Sequence, residues 1–256
     1  MKREAIPIFY YHQDPNFGDA INARLVSKLS GRPTRITINP PGYLVSGSIL
    51  DHPCGPMEVW GSGVIGPHLK LICKPKKVHA VRGPLSRKWL QDQGVECPAV
   101  YGDPAILLPL AYGGERTDQY SLGIIPHYVD HDHPALRHLP ADVCFIDVTS
   151  PPSQVIADVL RCKAIASSAL HGLIAADSYG IPSLWVEFSG RVLGRGFKFH
   201  DYYQGLGMRF PPDPVDLREV DQLPARQLAA MCKPHDVSRN VMPLLRACPF
   251  LGGGEL

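Results

Sequence analysis

Apolar and polar positions alternate along the chain in a way that divides it into short strands and helices. Residues 6–11 (IPIFYY) are apolar and β-prone, the loop HQDPNFGD follows, and from Asp19 to Ser30 the positions Ala20, Ile21, Leu25, Val26 and Leu29 recur at helical spacing until Gly31 stops the helix. Further strands are predicted at 43–46, 58–60, 77–81 and 99–101; Pro84 opens a helix through Gln93, and a short apolar helix ends near Leu110. The segment AYGGERTDQ at 111–119 then turns polar and glycine-rich. Beyond it a second series begins, with strands at 120–126 and 143–148 and a helix at 152–162 whose apolar face is Val155, Ile156, Val159 and Leu160. Residues 164–187 (AIASSALHGLIAADSYGIPSLWVE) predict one β-α-β unit: a strand end at 164–166, a Ser-Ser turn, a helix over 171–179 stopped by Gly180, and a strand from Pro182.

Strand, glycine-containing loop and helix open a Rossmann-like unit, and the rhythm occurs twice. The expected fold class is therefore α/β, with a Rossmann-like lobe over 1–115, a second over 116–222, and C-terminal helices and a tail over 223–256. At 256 residues, 45% hydrophobic and 20% charged, the chain has the composition of an ordinary globular protein. A net charge of +2 without a basic stripe argues against nucleic acid as a partner. The N-terminal apolar run is too short for a signal peptide and no run approaches a membrane span, so a cytoplasmic location is expected. The seven cysteines form no CxxC pair and are odd in number, which favours reduced thiols.

Candidate chemistry gathers at the carboxyl ends of the predicted strands, where open α/β sheets bind ligands. His171 falls in the first turn of a helix just past a strand, beside Ser167, Ser168 and Leu170, and helix N–H groups there suit an anion. The alternative is a polar residue capping a crossover helix. Asn16 and Asp19 border the first strand; a turn residue and a helix-dipole partner are the competing readings. The Gly61-Ser62-Gly63 turn permits close backbone approach to a ligand but lacks nucleotide-loop spacing. Arg82, at a strand end before Pro84, is placed for a phosphate or carboxylate, and Asp103 follows the next strand in a Gly102-Asp103-Pro104 turn. The loop HYVDHDHP carries three histidines and two aspartates without metal-ligand spacing, so no metal is expected and His127 is offered to a substrate instead. Past Glu187, the glycine-rich and basic segment FSGRVLGRGFKFHDYYQGLG is expected to be a mobile lid presenting Arg191, Arg195 and Lys198 to an anion; a solvated basic loop is the other reading.

Taken in order, NFGD at 16–19, VWGSG at 59–63, VRGPLS at 81–86, VYGDP at 100–104, IPHY at 125–128, SSALHGLIAADSYGIP at 167–182 and GFKFHDYY at 196–203 resemble the polysaccharide pyruvyl transferase family. The likeness runs from about Phe9 to Gly207 and is greatest to the short bacterial ketal pyruvate transferases of exopolysaccharide assembly. The resemblance implies a GT-B-like arrangement of two lobes facing a cleft. It implies transfer of pyruvate from phosphoenolpyruvate to two hydroxyls of one sugar in a lipid-linked oligosaccharide, with release of phosphate and no cofactor. Under that chemistry His171 is the candidate acid, and Arg82 and Lys198 hold the donor anion, with Arg191 and Arg195 in reserve. Asp103, Asn16, Asp19 and Glu187 are candidates to orient the acceptor or take its protons. Many members carry Ser-Arg-x-His where this chain has Ser168-Ala169-Leu170-His171, so the charge at Ala169 has to be supplied otherwise. Two rival readings stand beside this one: a GT-B glycosyltransferase using a nucleotide sugar, and a catalytically silent saccharide-binding subunit. A lipid-linked acceptor also leaves peripheral contact between the basic, aromatic lid and a membrane surface open.

Overall fold

The structure is a computed structural model that describes residues 4–13, 15–52 and 55–251. Cys54, counted above, and the glycine-rich tail from residue 252 lie outside the described residues. The first lobe runs β1 (Ile6–Phe9), α1 (Phe17–Ser30), β2 (Thr34–Ile36), β3 (Tyr43–Leu44), β4 (Glu58–Trp60), β5 (Lys77–Ala80), α2 (Pro84–Asp92) and α3 (Leu108–Tyr112). The second runs β6 (Leu122–Ile125), β7 (Val143–Phe145), α4 (Pro152–Leu160), β8 (Ile165–Ser167), α5 (Leu170–Ser178), β9 (Ser183–Glu187), α6 (Phe197–Gly205) and β10 (Val215–Asp216), followed by α7 (Ala225–Met231) and α8 (Ser238–Arg246). The predicted strand at 99–101 is reduced to a single parallel bridge, Val81 to Tyr101.

Each lobe holds a five-stranded parallel sheet, in the orders β2-β1-β3-β4-β5 and β10-β9-β8-β6-β7. Renumbered within its own lobe, the second order is the first one reversed, so both sheets share a doubly wound topology. In such a sheet the strand order changes direction once, and a crevice opens there at the carboxyl ends. The two crevices fall between β1 and β3 and between β6 and β8.

Beneath the crevices the lobes are joined by apolar packing. Ile21 and Leu25 of α1, Leu107 and Leu108 around the start of α3, Val155 and Val159 of α4, and Leu173 and Ile174 of α5 belong to one buried cluster. A backbone bond from Phe17 N–H to Val148 O, 2.7 Å, ties α1 to the second lobe. The C-terminal helices are not an appendage: α7 covers the second sheet through Leu228, and α8 returns to the first lobe. There Leu244 O accepts from Trp60 Nε1 at 2.9 Å, and Asn240 Nδ2 donates to Tyr101 O and Gly205 O at 2.9 and 3.0 Å.

The segment expected to be a mobile lid differs most from its reading. Only its first part, up to Gly196, is loop; from Phe197 it is helix α6, with Phe199, Tyr202 and Tyr203 buried. These three recur at i, i+3 and i+4, the spacing that buries one helix face. Phe199 stacks on Trp185 of β9 with ring centroids 4.3 Å apart, and Asp201 reaches into the first lobe. The helix therefore fixes its residues in place.

Candidate active site

A cleft of about 530 Å³ opens where the two crevices meet. Its lining comes from the loop after β1 and the start of α1, the turn after β3, the loop after β6, the start of α5, and the segment leading into α6. Of the residues singled out in the sequence, Asn16, Asp19, His127, Leu170, His171, Arg191 and Lys198 line it.

His171 sits at the second position of α5, which Ala169 caps without any side-chain hydrogen bond, leaving the first N–H groups of the helix for a ligand. The ring's Nε2 lies 3.0 Å from Ser46 Oγ and 3.5 Å from Asp103 Oδ2. Ser46 gives its only proton to Asp103 Oδ1 at 2.7 Å, so its oxygen must accept from His171 Nε2–H. That fixes the tautomer and leaves Nδ1 as the nitrogen that can take or give a proton at the substrate. Asp103 is fully buried two residues past the Tyr101 bridge, where it caps the short helical turn that begins at Pro104. Burial alone would raise its pKa, but His171, the Ala105 N–H and the Ser46 hydroxyl together hold it below the ordinary carboxylate value. An ionised carboxylate thus backs the imidazole from beneath the cleft floor.

Gly18 packs on the face of the His171 ring beside Nδ1, where a Cβ would come within 2.0 Å of that nitrogen. Replacing Gly18 with alanine is therefore expected to displace the ring, lower turnover by about 10²-fold and, through the lost Ser46 contact, lower the melting temperature by a few degrees. Steady-state kinetics and a thermal melt on the same sample check this.

Lys198, on the first turn of α6, is only 8% exposed yet lines the cleft. Burial, with the charge of Arg82 beside it, brings its ammonium down to about 8, against the opposing pull of Asp130 and Asp19. Burial, helped by Lys198 and His131, pushes His127 down to about 3, so its imidazole is neutral. Asp19 is shifted upward by burial, which the charges of His171, His52 and Lys198 only partly offset. Asn16 caps α1 through its side-chain oxygen, 3.0 Å from Gly18 N–H, and so keeps the first turn in position.

Other residues named from the sequence lie elsewhere. Arg82 is fully buried, and its guanidinium donates to Asp201 Oδ2 at 3.0 Å, Ser48 Oγ at 2.7 Å and Val64 O at 2.7 Å. It stands behind the cleft wall as one half of an ion pair between lobes. Asp201 also accepts from the Leu85 and Ser86 N–H groups and the Ser86 hydroxyl, capping α2 from across the molecule. The Gly61-Ser62-Gly63 turn serves the same region: Ser62 Oγ donates to Val45 O, and a Cβ on Gly63 would fall 2.3 Å from the Arg82 Cζ. Ser167 closes its own turn by bonding Ile125 O and the Ala169 N–H, while Ser168 joins Asp130 to the His127 N–H. Buried Asp130 also accepts from Ser189 and lies 4.0 Å from Arg191, so it ties three loops together under the cleft. In the histidine-rich loop, His127 and His133 each accept from a backbone N–H two residues on and start short helical turns. Glu187 is at the pairing of β9 with β10, and Arg195 is exposed, with a φ of 44°.

Residues not singled out from the sequence also belong to the site: Ser46, Gly18, Tyr11, His52 and Tyr128. Ser46 closes the predicted strand at 43–46, and a strand's carboxyl edge was the available signal. Tyr11 and Gly18 lie in the first strand-loop-helix stretch.

Fold and site together define a two-lobed α/β protein that sets a histidine, backed by a buried carboxylate, beside a helix N-terminus and a buried lysine. The chain belongs to the polysaccharide pyruvyl transferase family, whose model matches residues 16–190. It is 32% identical over 219 residues to uncharacterized protein L143 of Acanthamoeba polyphaga mimivirus, covering 80% of this chain and 76% of that one. It is 28% identical over 222 residues to the succinoglycan biosynthesis protein ExoV of Rhizobium meliloti (strain 1021), covering 80% and 66% respectively. Among solved structures, the uncharacterized protein KP1_0663 of Klebsiella pneumoniae aligns over 83% of this chain and 92% of its own, at 11% identity and a TM-score of 0.48. Among the described residues no helix is long and apolar enough to cross a membrane.

Proposed function

We propose that this protein transfers pyruvate from phosphoenolpyruvate to two hydroxyls of one sugar in a lipid-linked exopolysaccharide repeat unit, forming a cyclic ketal and releasing phosphate. The observation that carries the reading is the convergence on one cleft of His171 with its Ser46 and Asp103 support, the uncapped start of α5, and buried Lys198. Family membership and the likeness to a succinoglycan biosynthesis protein support the same reaction class. The lobe arrangement is read as GT-B-like.

The donor carries a phosphate and a carboxylate, so its site needs cations and N–H donors. Lys198 and the first N–H groups of α5 meet that need, and Arg191 at the cleft edge, paired with Asp132 in the free protein, is the cation available to exchange that partner for the donor where the charge at Ala169 is absent. In the reaction the donor's methylene carbon is protonated as a sugar oxygen attacks the neighbouring carbon. His171 Nδ1–H gives that proton, and the carboxylate of Asp103 faces the ring from the opposite side. Phosphoenolpyruvate is consumed as a substrate, and the reading calls for no metal or other cofactor. A lipid-linked acceptor would bring the protein to the inner face of the plasma membrane.

Titration with phosphoenolpyruvate and with nucleotide sugars, followed by thermal shift, tests the donor. Stabilisation by phosphoenolpyruvate is expected; stabilisation by a nucleotide sugar alone would overturn the reading. The affinity should also carry the signature of Lys198. A bound anion raises the lysine's pKa, so binding is at full strength below the free-protein value of about 8 and is lost as pH rises through it. Between pH 8.5 and 9.5 the dissociation constant is expected to climb by nearly tenfold, on the order of one pKa unit's worth of affinity. In Lys198→Met the constant should be weaker throughout and flat over that range, measured by calorimetry.

A further inference from the structure

The two walls of the cleft differ in chemistry. Lys198, Arg191 and the start of α5 belong to the second lobe and suit an anion. The first-lobe wall instead carries the Tyr11 ring, His52 and the Asp19 carboxyl. Tyr11 is 43% exposed although it lines a cleft, and its ring is held edge-on by His52 at a centroid distance of 4.9 Å and an interplanar angle of 85°. Phe9 supports it from the strand at 6.2 Å. An exposed aromatic face held this way offers a flat apolar surface inside a polar cleft. Pyranoses have the matching shape, with an apolar face of C–H groups and an edge of hydroxyls.

Asp19 projects from the first turn of α1 into the same wall, where its carboxylate takes a hydrogen bond from the Tyr11 backbone and the neighbouring charges are those of His171, His52 and Lys198. A carboxylate there repels a trianionic donor and accepts hydrogen bonds from a neutral diol. Resting on the pyruvyl transfer reading, we propose that Tyr11 and Asp19 form the acceptor subsite: a pyranose lays one face on the Tyr11 ring and presents the attacking hydroxyl to the Asp19 carboxylate.

The proton path closes with these two groups. In the first step the sugar oxygen bonds to the donor's central carbon and its proton passes to Asp19. The double-bond pair forms a new C–H bond with the proton of His171 Nδ1. In the second, the carbon–oxygen bond to phosphate breaks, the phosphate keeps the pair and takes the proton held by Asp19. The second hydroxyl oxygen then bonds to the same carbon and returns its proton to His171. Both side chains end as they began, one hydroxyl proton having gone to the methyl group and one to phosphate. The upward shift of Asp19 fits a group that must hold a proton between the two steps.

The test uses saturation-transfer NMR of the full chain with methyl glucoside, methyl galactoside and methyl mannoside, in the presence of phosphoenolpyruvate. Transfer to the ring C–H protons of at least one glycoside is expected, lost in Tyr11→Ala and kept in Tyr11→Phe, with phosphoenolpyruvate affinity the same in all three proteins. Asp19→Asn should still bind donor and glycoside, yet lose at least about 10²-fold in phosphate release with the accepted sugar or with lipid-linked glycan extract. Signals unchanged in Tyr11→Ala, no signal from any glycoside, or full phosphate release in Asp19→Asn would each overturn the subsite. Failure of the pyruvyl transfer reading looks different, because the unmodified protein would then not bind phosphoenolpyruvate at all.

Discussion

Replacing His171 with glutamine is expected to reduce pyruvyl transfer by about 10²–10⁴-fold, with phosphoenolpyruvate binding little changed. The expectation follows from the direction of two hydrogen bonds. Ser46 donates to Asp103, so it accepts from Nε2–H, and the proton in play must sit on Nδ1. Glutamine occupies similar space and can still bond Ser46, but it has no proton to give at neutral pH. Single-turnover phosphate release measures the loss. A rate within about threefold of the unmodified protein would remove His171 from the role of acid. Asp103→Asn gives an independent check: it leaves the ring in place and removes the charge behind it, so the rate should fall while donor affinity holds.

The second large effect is on stability. Asp201→Ala is expected to cost about 3–5 kcal/mol, because it strands the Arg82 guanidinium in a site with no exposure. The same change uncaps two N–H groups of α2, which adds to the loss. Denaturant unfolding should show a lower midpoint, and since the pair joins the two lobes, the transition should also become less cooperative. A loss of unfolding free energy below about 1 kcal/mol would mean that solvent reaches Arg82 once Asp201 is gone. Arg82 thus acts on the cleft indirectly, through Ser48 on its wall and through the seating of α6, which carries Lys198.

What the sequence made legible was local. His171, Asn16 and Asp19 could be placed because a strand, a turn and a helix start lie within a dozen residues of one another, and period and punctuation are local signals. Asp103 was placed just past a strand, but its partners Ser46 and His171 are 57 and 68 positions away, so nothing nearby marked it as support for an imidazole. Arg82 looked like a free cation for the same reason. Its counter-charge lies 119 residues on, in a segment whose glycines masked the Phe199, Tyr202, Tyr203 face of a buried helix. The serines of the Ser-Ser turn suggested ligand contacts, whereas their hydroxyls are taken up by backbone groups and by Asp130. A small polar residue can satisfy a buried neighbour as readily as a ligand, and only the three-dimensional arrangement separates the two.

The return of α8 to the first lobe bears on how the protein is made. The indole of Trp60 and the carbonyl of Tyr101 find their partners at Leu244 and Asn240. The lobe synthesised first therefore stays unfinished until residues 240–244 have left the ribosome. Vectorial synthesis usually lets an early domain fold while later ones are still being added. Here α8 acts as a keystone, and the nascent chain reaches its native first lobe only once that helix has emerged.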